Sequence, residues 1–417
     1  MKTYKQSDFI VALAAVLFIV IFLPIQGCGG GGGGSGGITP QPVPPPAIKL
    51  PRSGQVTAYD ANTVKRDDGA LQMGVAWPSP RFVDNADGTV TDSLTGLMWL
   101  LDANCIRTTY PAYDKDGTAG DGAVTWIHAL MFISGMPNSS CGGQYSDWRL
   151  PNIRELRSLL DYSRYLPMLA YSPFSGVQTG YPGYWSSTSD AASGWNLSIN
   201  MGNGVHQLSA PTYLNDGFVW PVRAGLTTPA GQVIPPAAIP KTGQTRIYYP
   251  GDDGDYSRGI GAYWPSPRFT VSADTSIRDN LTGLQWAPNG NLMPARDTNW
   301  DLDGVVNDGK VTWQHALDYA AALNAQNYLG HNDWRVPNVI EYDSLEHFGY
   351  TNEACGGSPC QTTEAWLNTQ GFTNAQSLYA YWSSTSWYPN AYYYAWVYHS
   401  FATKNSLNYV WPVRGGQ

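Results

Sequence analysis

Apolar and polar positions follow two rhythms along this chain. Thr125 stands ahead of Trp126-Ile127-His128-Ala129-Leu130 as the cap of a first helix, and Thr312 stands likewise ahead of Trp313. A second helix is predicted after Asn152 and again after Asn338. Asn152 with Glu155, and Asn338 with Glu341, have the spacing of a capping box, and Pro151 and Pro337 end the extended segments before them. The rhythm then shortens to two. Trp195, Leu197, Ile199 and Met201 alternate with Asn196, Ser198 and Asn200, and Gly202-Asn203-Gly204 marks a tight turn, which predicts a hairpin. Thr91 to Trp99 reads as a turn feeding a strand, and Phe218 to Arg223 as a closing strand. The class is α+β, with two helices and short antiparallel strands per unit.

These patterns occur twice, in order. Trp77-Pro78-Ser79-Pro80-Arg81-Phe82, Val124-Thr125-Trp126, Asp147-Trp148-Arg149-Leu150-Pro151-Asn152, Tyr184 to Ser189 and Trp220-Pro221-Val222-Arg223 return as Trp264 to Phe269, Val311-Thr312-Trp313, Asp333 to Asn338, Tyr381 to Ser386 and Trp411 to Arg414. Each copy spans about 170 residues, the size of an independent domain and too long for a solenoid unit. The expected organisation is a leader over 1–27, a Gly/Pro tether over 28–53, a first domain over 54–226, a Pro-rich linker over 227–243 and a second domain over 244–417. The linker predicts some reorientation between domains.

At the N-terminus Lys2 and Lys5 precede an apolar run from Phe9 to Leu23, as in a secretory signal; a membrane-spanning anchor is the alternative. Cys28, with Gly27 before it and Ile25 three positions upstream, resembles the lipobox of bacterial lipoproteins. Lipidation at Cys28 is therefore expected, and with it attachment to a membrane. Gly29, where an inner-membrane retention signal would carry Asp, points to the outer membrane and the cell surface. Gly29 to Gly37 and then Pro40 to Pro51 form a flexible, then stiffer, spacer.

Composition adds two constraints. Charged residues make up 13% of the chain and its net charge is −8, so a nucleic-acid or polyanion partner is not expected. Apart from Cys28 there are four cysteines, Cys105, Cys141, Cys355 and Cys360. They lie at non-equivalent places in the two copies, which suggests separate staples, Cys105 to Cys141 and Cys355 to Cys360. A zinc site is the rival reading, but no histidine has ligand spacing near them.

The motifs W-x-x-A-L, D-W-R-L-P-N-x-x-E-L, Y-W-S-S-T-S and the terminal V-R-G/A-G resemble the C-terminal domain family of the Legionella collagen-like adhesin. The resemblance implies two tandem C-type-lectin-like domains, a role in ligand binding at a surface, and kinship with target proteins of diversity-generating retroelements, whose C-terminal segment varies on a fixed scaffold. The known adhesin favours sulfated glycans through a basic surface, from which this acidic chain departs.

The two copies serve as each other's control. Copy two crowds Tyr388, Asn390, Tyr392, Tyr393, Tyr394, His399, Phe401, Asn405 and Asn408 before its last motif, whereas copy one has mostly Asn, Ser, Gly and small apolar residues there. Tyr with Asn and Ser suits adaptable recognition, so this stretch is the expected face for a protein or glycan ligand. Parity with Trp195 and Ile199 turns Trp396 and Tyr398 inward and Tyr393, His399 and Phe401 outward, with Tyr388, Asn390 and Tyr392 in a loop before the strand. Calcium is the one candidate cofactor: Asn299, Asp301, Asp303 and Asn307 match the first half of a calcium loop, although Lys310 stands where the closing Glu belongs, and a solvated acidic turn is the preferred account. No nucleophile with a base and orienter is found, so catalysis is not expected. His128 and His315 read as structural, and a structural envelope lipoprotein or, further off, a glycan-acting enzyme are the alternatives.

Overall fold

The helix starts read from the sequence are built by side chains in the computed structural model. It describes residues 46–416 except 115–119, 137–140, 142–144, 165–167, 170–171, 192–193, 210–215, 225–226, 229–230, 233–234, 257–260, 301–307, 351–361, 377–379, 388–389 and 396–397. Copy one contains β1 (Phe82–Asp84), β2 (Thr89–Asp92), β3 (Leu97–Leu100), α1 (Trp126–Ser134), α2 (Ile153–Ser158), β4 (Tyr184–Ser189), β5 (Asn196–Ile199), β6 (His206–Ser209) and β7 (Val222–Ala224). Copy two repeats them as β8 (Phe269–Val271), β9 (Ile277–Asp279), β10 (Gln285–Trp286), α3 (Trp313–Ala325), α4 (Val339–Leu345), β11 (Tyr381–Trp387), β12 (Asn390–Ala395), β13 (Tyr398–Thr403) and β14 (Val413–Arg414), and it inserts α5 (Thr363–Thr369) before β11. Thr125 caps α1 and Thr312 caps α3. Asn152 and Asn338 each form both halves of a capping box, with Glu155 and with Glu341.

The sheets are small and antiparallel. One has the order β1-β2-β3-β7 and its repeat β8-β9-β10-β14, so the last strand of each copy closes onto the third. The other is the meander β4-β5-β6, repeated as β11-β12-β13. The predicted hairpin forms, with Leu197, Ile199 and Met201 buried, but Trp195 stands just outside β5 and is 42% exposed.

The doubled motifs are spent on this framework. Arg81 forms a buried pair with Asp92 and Arg268 with Asp279, both at 2.8 Å. Arg149 clamps Glu155 through two bonds of 2.5 Å, and Arg335 clamps Glu341 through two of 2.6 Å. Two charges buried together in this fork geometry satisfy one another. Arg223 reaches Asp147 and Arg414 reaches Asp333, tying the last motif to the first residue of the D-W-R motif. Trp185, Trp382, Trp220 and Trp411 are buried, and each of these four finds a carbonyl for its indole N–H, the usual arrangement for a buried indole: Trp185 on Val124, Trp382 on Val311, Trp220 on Leu100 and Trp411 on Ala287.

Residues from 45 onward form one compact unit, and the segments that lead into the two copies are exchanged. Arm one, residues 46–75, donates Ile48 N–H to Leu281 O at 2.7 Å and lays Gln55, Asp60, Asn62 and Asp68 on copy two. Arm two, residues 237–256, donates Ala237 N–H to Leu94 O at 3.0 Å and lays Gln244, Tyr248 and Asp253 on copy one. The arms meet where Ala238 N–H bonds Lys49 O. Copies joined in this way are not free to swing, which corrects the reorientation expected at the Pro-rich joint. The boundaries drawn at 54 and 244 also place each arm with the copy it precedes, while its side-chain bonds run to the other.

Candidate functional site: the C-terminal hairpin and the exchanged arms

The register of the meanders fixes which residues of the two copies correspond. Tyr184 pairs with Ile199 and Tyr381 with Tyr394, so Leu197 corresponds to Tyr392 and Trp195 to Asn390. Ser186 Oγ donates to Leu197 O, and Ser383 Oγ donates to Tyr392 O, which confirms the match. On the third strands Leu197 pairs with Leu208 and Tyr392 with Phe401, while His206 occupies the register of His399. Trp195 therefore takes the register of Asn390 and not that of Trp396. Asn390 and Tyr392 belong to β12 and not to a loop before it.

This register corrects part of the expected ligand face. Tyr392 is 2% exposed and packs into the core of copy one: its ring centre lies 5.0 Å from that of Tyr162 at 85°, and its hydroxyl reaches Met168 Sδ at 3.2 Å. Phe401, expected to face out, is half-buried against Tyr392, with 6.3 Å between centroids. Asn408 is also buried, because its backbone bridges Val311 in both directions. Asn405 is exposed and Asn390 half-exposed. Tyr388 lies outside the described residues, as do the side chains of Tyr393, Tyr394, Trp396, Tyr398 and His399.

Of the other candidates, Cys105 and Cys141 form a disulfide with Cα atoms 6.1 Å apart. Cys28, Cys355, Cys360, Asp301, Asp303 and Asn307 lie outside the described residues, and Asn299 is exposed in a short turn. Among the described residues no cluster of three or more His, Cys, Asp or Glu is placed to hold a metal, and no helix is long and apolar enough to cross a membrane.

The best-built polar sites are the two where an arm meets a helix start. In copy one the Ile153 amide donates to Thr188 Oγ1 at 3.0 Å, and Thr188 donates to Asp253 of arm two at 3.1 Å. In copy two the Val339 amide donates to Thr385 Oγ1 at 3.1 Å, and Thr385 donates to Asp68 of arm one at 2.7 Å. Gln244 and Gln55 accept the next amides, of Ser189 and Ser386, at 2.7 and 2.6 Å. Burial pushes both aspartates up to about 6, against the hydroxyl bonds that favour the carboxylate. Backbone passes close behind each, so that a Cβ at Gly69 or Gly254 would collide with the carbonyl of Thr57 or Arg246. These carboxylates are committed to hydroxyls and face no open cleft, which makes them fasteners. The sequence held a signal for them: Ser53-Gly54-Gln55 with Asp67-Asp68-Gly69 returns as Thr242-Gly243-Gln244 with Asp252-Asp253-Gly254.

A cavity of about 260 Å³ opens where arm one crosses copy two, between Ala47 to Pro51, Gly74 and Thr282 to Leu284. Of its polar lining, Asn338 and Glu341 are already engaged in the capping box.

The sequence profile of the Lcl C-terminal domain matches residues 88–223 and again residues 275–414. The chain belongs to the Lcl C-terminal domain family. Both Lcl domains begin after the arms, so the exchanged segments lie outside the matched parts. The family is of adhesin type, which makes this Lcl protein a candidate ligand-binding surface protein. Comparison with curated proteins found no match, and comparison with solved structures found none.

Proposed function

We propose that the protein is a lipoprotein of the outer membrane, displayed at the cell surface, that binds a protein or glycan through the outer rim of the second Lcl domain. The observation that carries this reading is the contrast between the two meanders. Their frameworks correspond residue by residue, yet copy two places Tyr and Asn from position 387 to 405 where the scaffold does not ask for them. Among the side chains of this stretch that the structure describes, Asn390 and Asn405 are reachable, and side-chain amides beside aromatic area make adaptable hydrogen bonds at low entropic cost. Diversification of this segment by a retroelement would place varying residues on that rim.

Burial of Tyr392 and Asn408 favours a second reading for their part of the stretch, in which its aromatics serve packing between the copies. A glycan-array and cell-binding screen separates the two. It should use the whole folded unit, since copy two lacks Asp68 without arm one, and compare it with a variant carrying Tyr388→Ala, Asn390→Ala and Asn405→Ala. Binding that the triple variant loses at unchanged melting temperature supports recognition at the rim. Binding that survives it moves the ligand elsewhere, and a unit that binds nothing leaves the packing role.

A further inference from the structure

We propose that Arg157 and Asp343 specify the pairing of copy one with copy two and disfavour the pairing of either copy with another of its own kind. The two residues hold the same place in the repeats, two positions after the capping glutamates Glu155 and Glu341. They meet across a local twofold axis. A cavity of about 20 Å³ on that axis is lined by Pro51 and Pro240, by Ser158 and Ser344, and by Arg157 and Asp343, each residue with its own counterpart.

In a contact of this symmetry every position near the axis faces its equivalent. Two first copies would set Arg157 against Arg157, and two second copies Asp343 against Asp343. The repeats have diverged to opposite charge here: α2 carries Arg154 and Arg157, while α4 and the residue after it carry Asp343 and Glu346. Arg157 pairs with Asp343 and, at 3.3 Å, with Glu346. Arg154 lies 3.5 Å from Asp343 and donates to the backbone oxygens of Asp343 and Glu346 at 2.6 and 2.7 Å. All four side chains are at most 9% exposed. A buried ion pair is a weak source of stability compared with apolar side chains of the same size, whereas unpaired or like charges at such a site are strongly unfavourable. The cluster therefore does more to exclude wrong partners than to hold the right one.

The test uses the full chain in four variants, read by thermal midpoint and by light-scattering mass over a concentration series. Arg157→Asp and Asp343→Arg each place like charges on the axis and should lower the midpoint by about 10 °C or more. The exchange Arg157→Asp with Asp343→Arg should recover part of that loss, because it restores opposite charge on the axis and a balanced cluster while leaving Arg154 beside position 343 and Glu346 beside position 157. The apolar pair Arg157→Met with Asp343→Leu should hold the midpoint within a few degrees, roughly as such replacements do elsewhere, and yet show a mass that climbs with concentration beyond that of the unaltered chain. If a single reversal fails to fold, the exchange still decides, because it restores opposite charge. An exchange variant no better than the worse single reversal would overturn the proposal, and so would an apolar pair whose mass follows the unaltered chain throughout.

Discussion

The second helices of the two copies, α2 and α4, share their caps and differ in what they turn toward each other. Asn152 with Glu155 and Asn338 with Glu341 build the same capping box on the same buried arginine. On either side of those glutamates Arg154 and Arg157 stand opposite Ile340 and Asp343 in the alignment, and the meanders set Leu197 opposite Tyr392 in the same way. Residues that the repeats share hold each fold together. At these differing positions Arg157 and Asp343, and Tyr392, lie where the copies touch.

If the shared residues are framework, breaking the same one in either copy should cost the same. Arg149→Ala and Arg335→Ala each leave a buried glutamate without its partner and should lower unfolding stability by about 3–5 kcal/mol, measured by denaturant titration of the full chain. A copy that tolerates the loss would break the equivalence. Cys105 and Cys141 belong to copy one alone and close a loop across 36 positions. Replacing both by Ser should cost about 4 kcal/mol on the loop-entropy estimate, and the loss should appear first in hydrogen exchange of copy one.

The paired aspartates sharpen the comparison through pH. Asp68 and Asp253 stand near 6 in the folded chain against 3.8 as reference, so the folded state holds these protons more tightly than the unfolded one. Their contribution is complete below about 4 and is lost as pH rises through 6, at about 3 kcal/mol for each. Arm attachment, followed by hydrogen exchange at residues 53–73 and 242–256, should therefore tighten from pH 7 to pH 5. Asp68→Asn should flatten that slope for arm one, and Asp253→Asn for arm two. A smaller effect is expected from Tyr392→Leu, which gives copy two the residue of copy one and leaves a gap beside Tyr162, at about 1–3 kcal/mol. Smallest are Asn390→Ala and Asn405→Ala, which should move stability by less than about 0.5 kcal/mol, so that any loss of binding reports on recognition alone.

The doubled motifs, the caps and the β5–β6 hairpin were legible in the sequence because each rests on residues close together in the chain. The exchanged arms were not. Asp68 finds Thr385 across 317 positions and Gln55 finds Ser386 across 331, distances at which periodicity carries no information, although the doubled Gly-Gln and Asp-Asp-Gly pairs marked both arms as repeats. Reading Tyr392 as part of a loop misjudged it, since it belongs to β12, takes the register of the buried Leu197 and packs into the core of the other copy. Trp195 failed for the opposite reason, lying one step beyond the strand whose alternation it extended.

Exchange also sets the order in which the chain can finish folding. As the polypeptide grows, copy one has all of its own strands once Ala224 is made, but its Thr188 site stays open until Asp253 follows. Arm one is synthesised before both copies and is among the last segments to find its seat, because Thr385 and Ser386 come more than three hundred residues later. Contacts of such separation slow folding by the time needed to close large loops. During that interval the arm is a segment without a seat and copy two a seat without its segment. The refolding of this protein should therefore show a fast phase for the two frameworks and a slower one, measurable by hydrogen-exchange labelling, in which the arms lock.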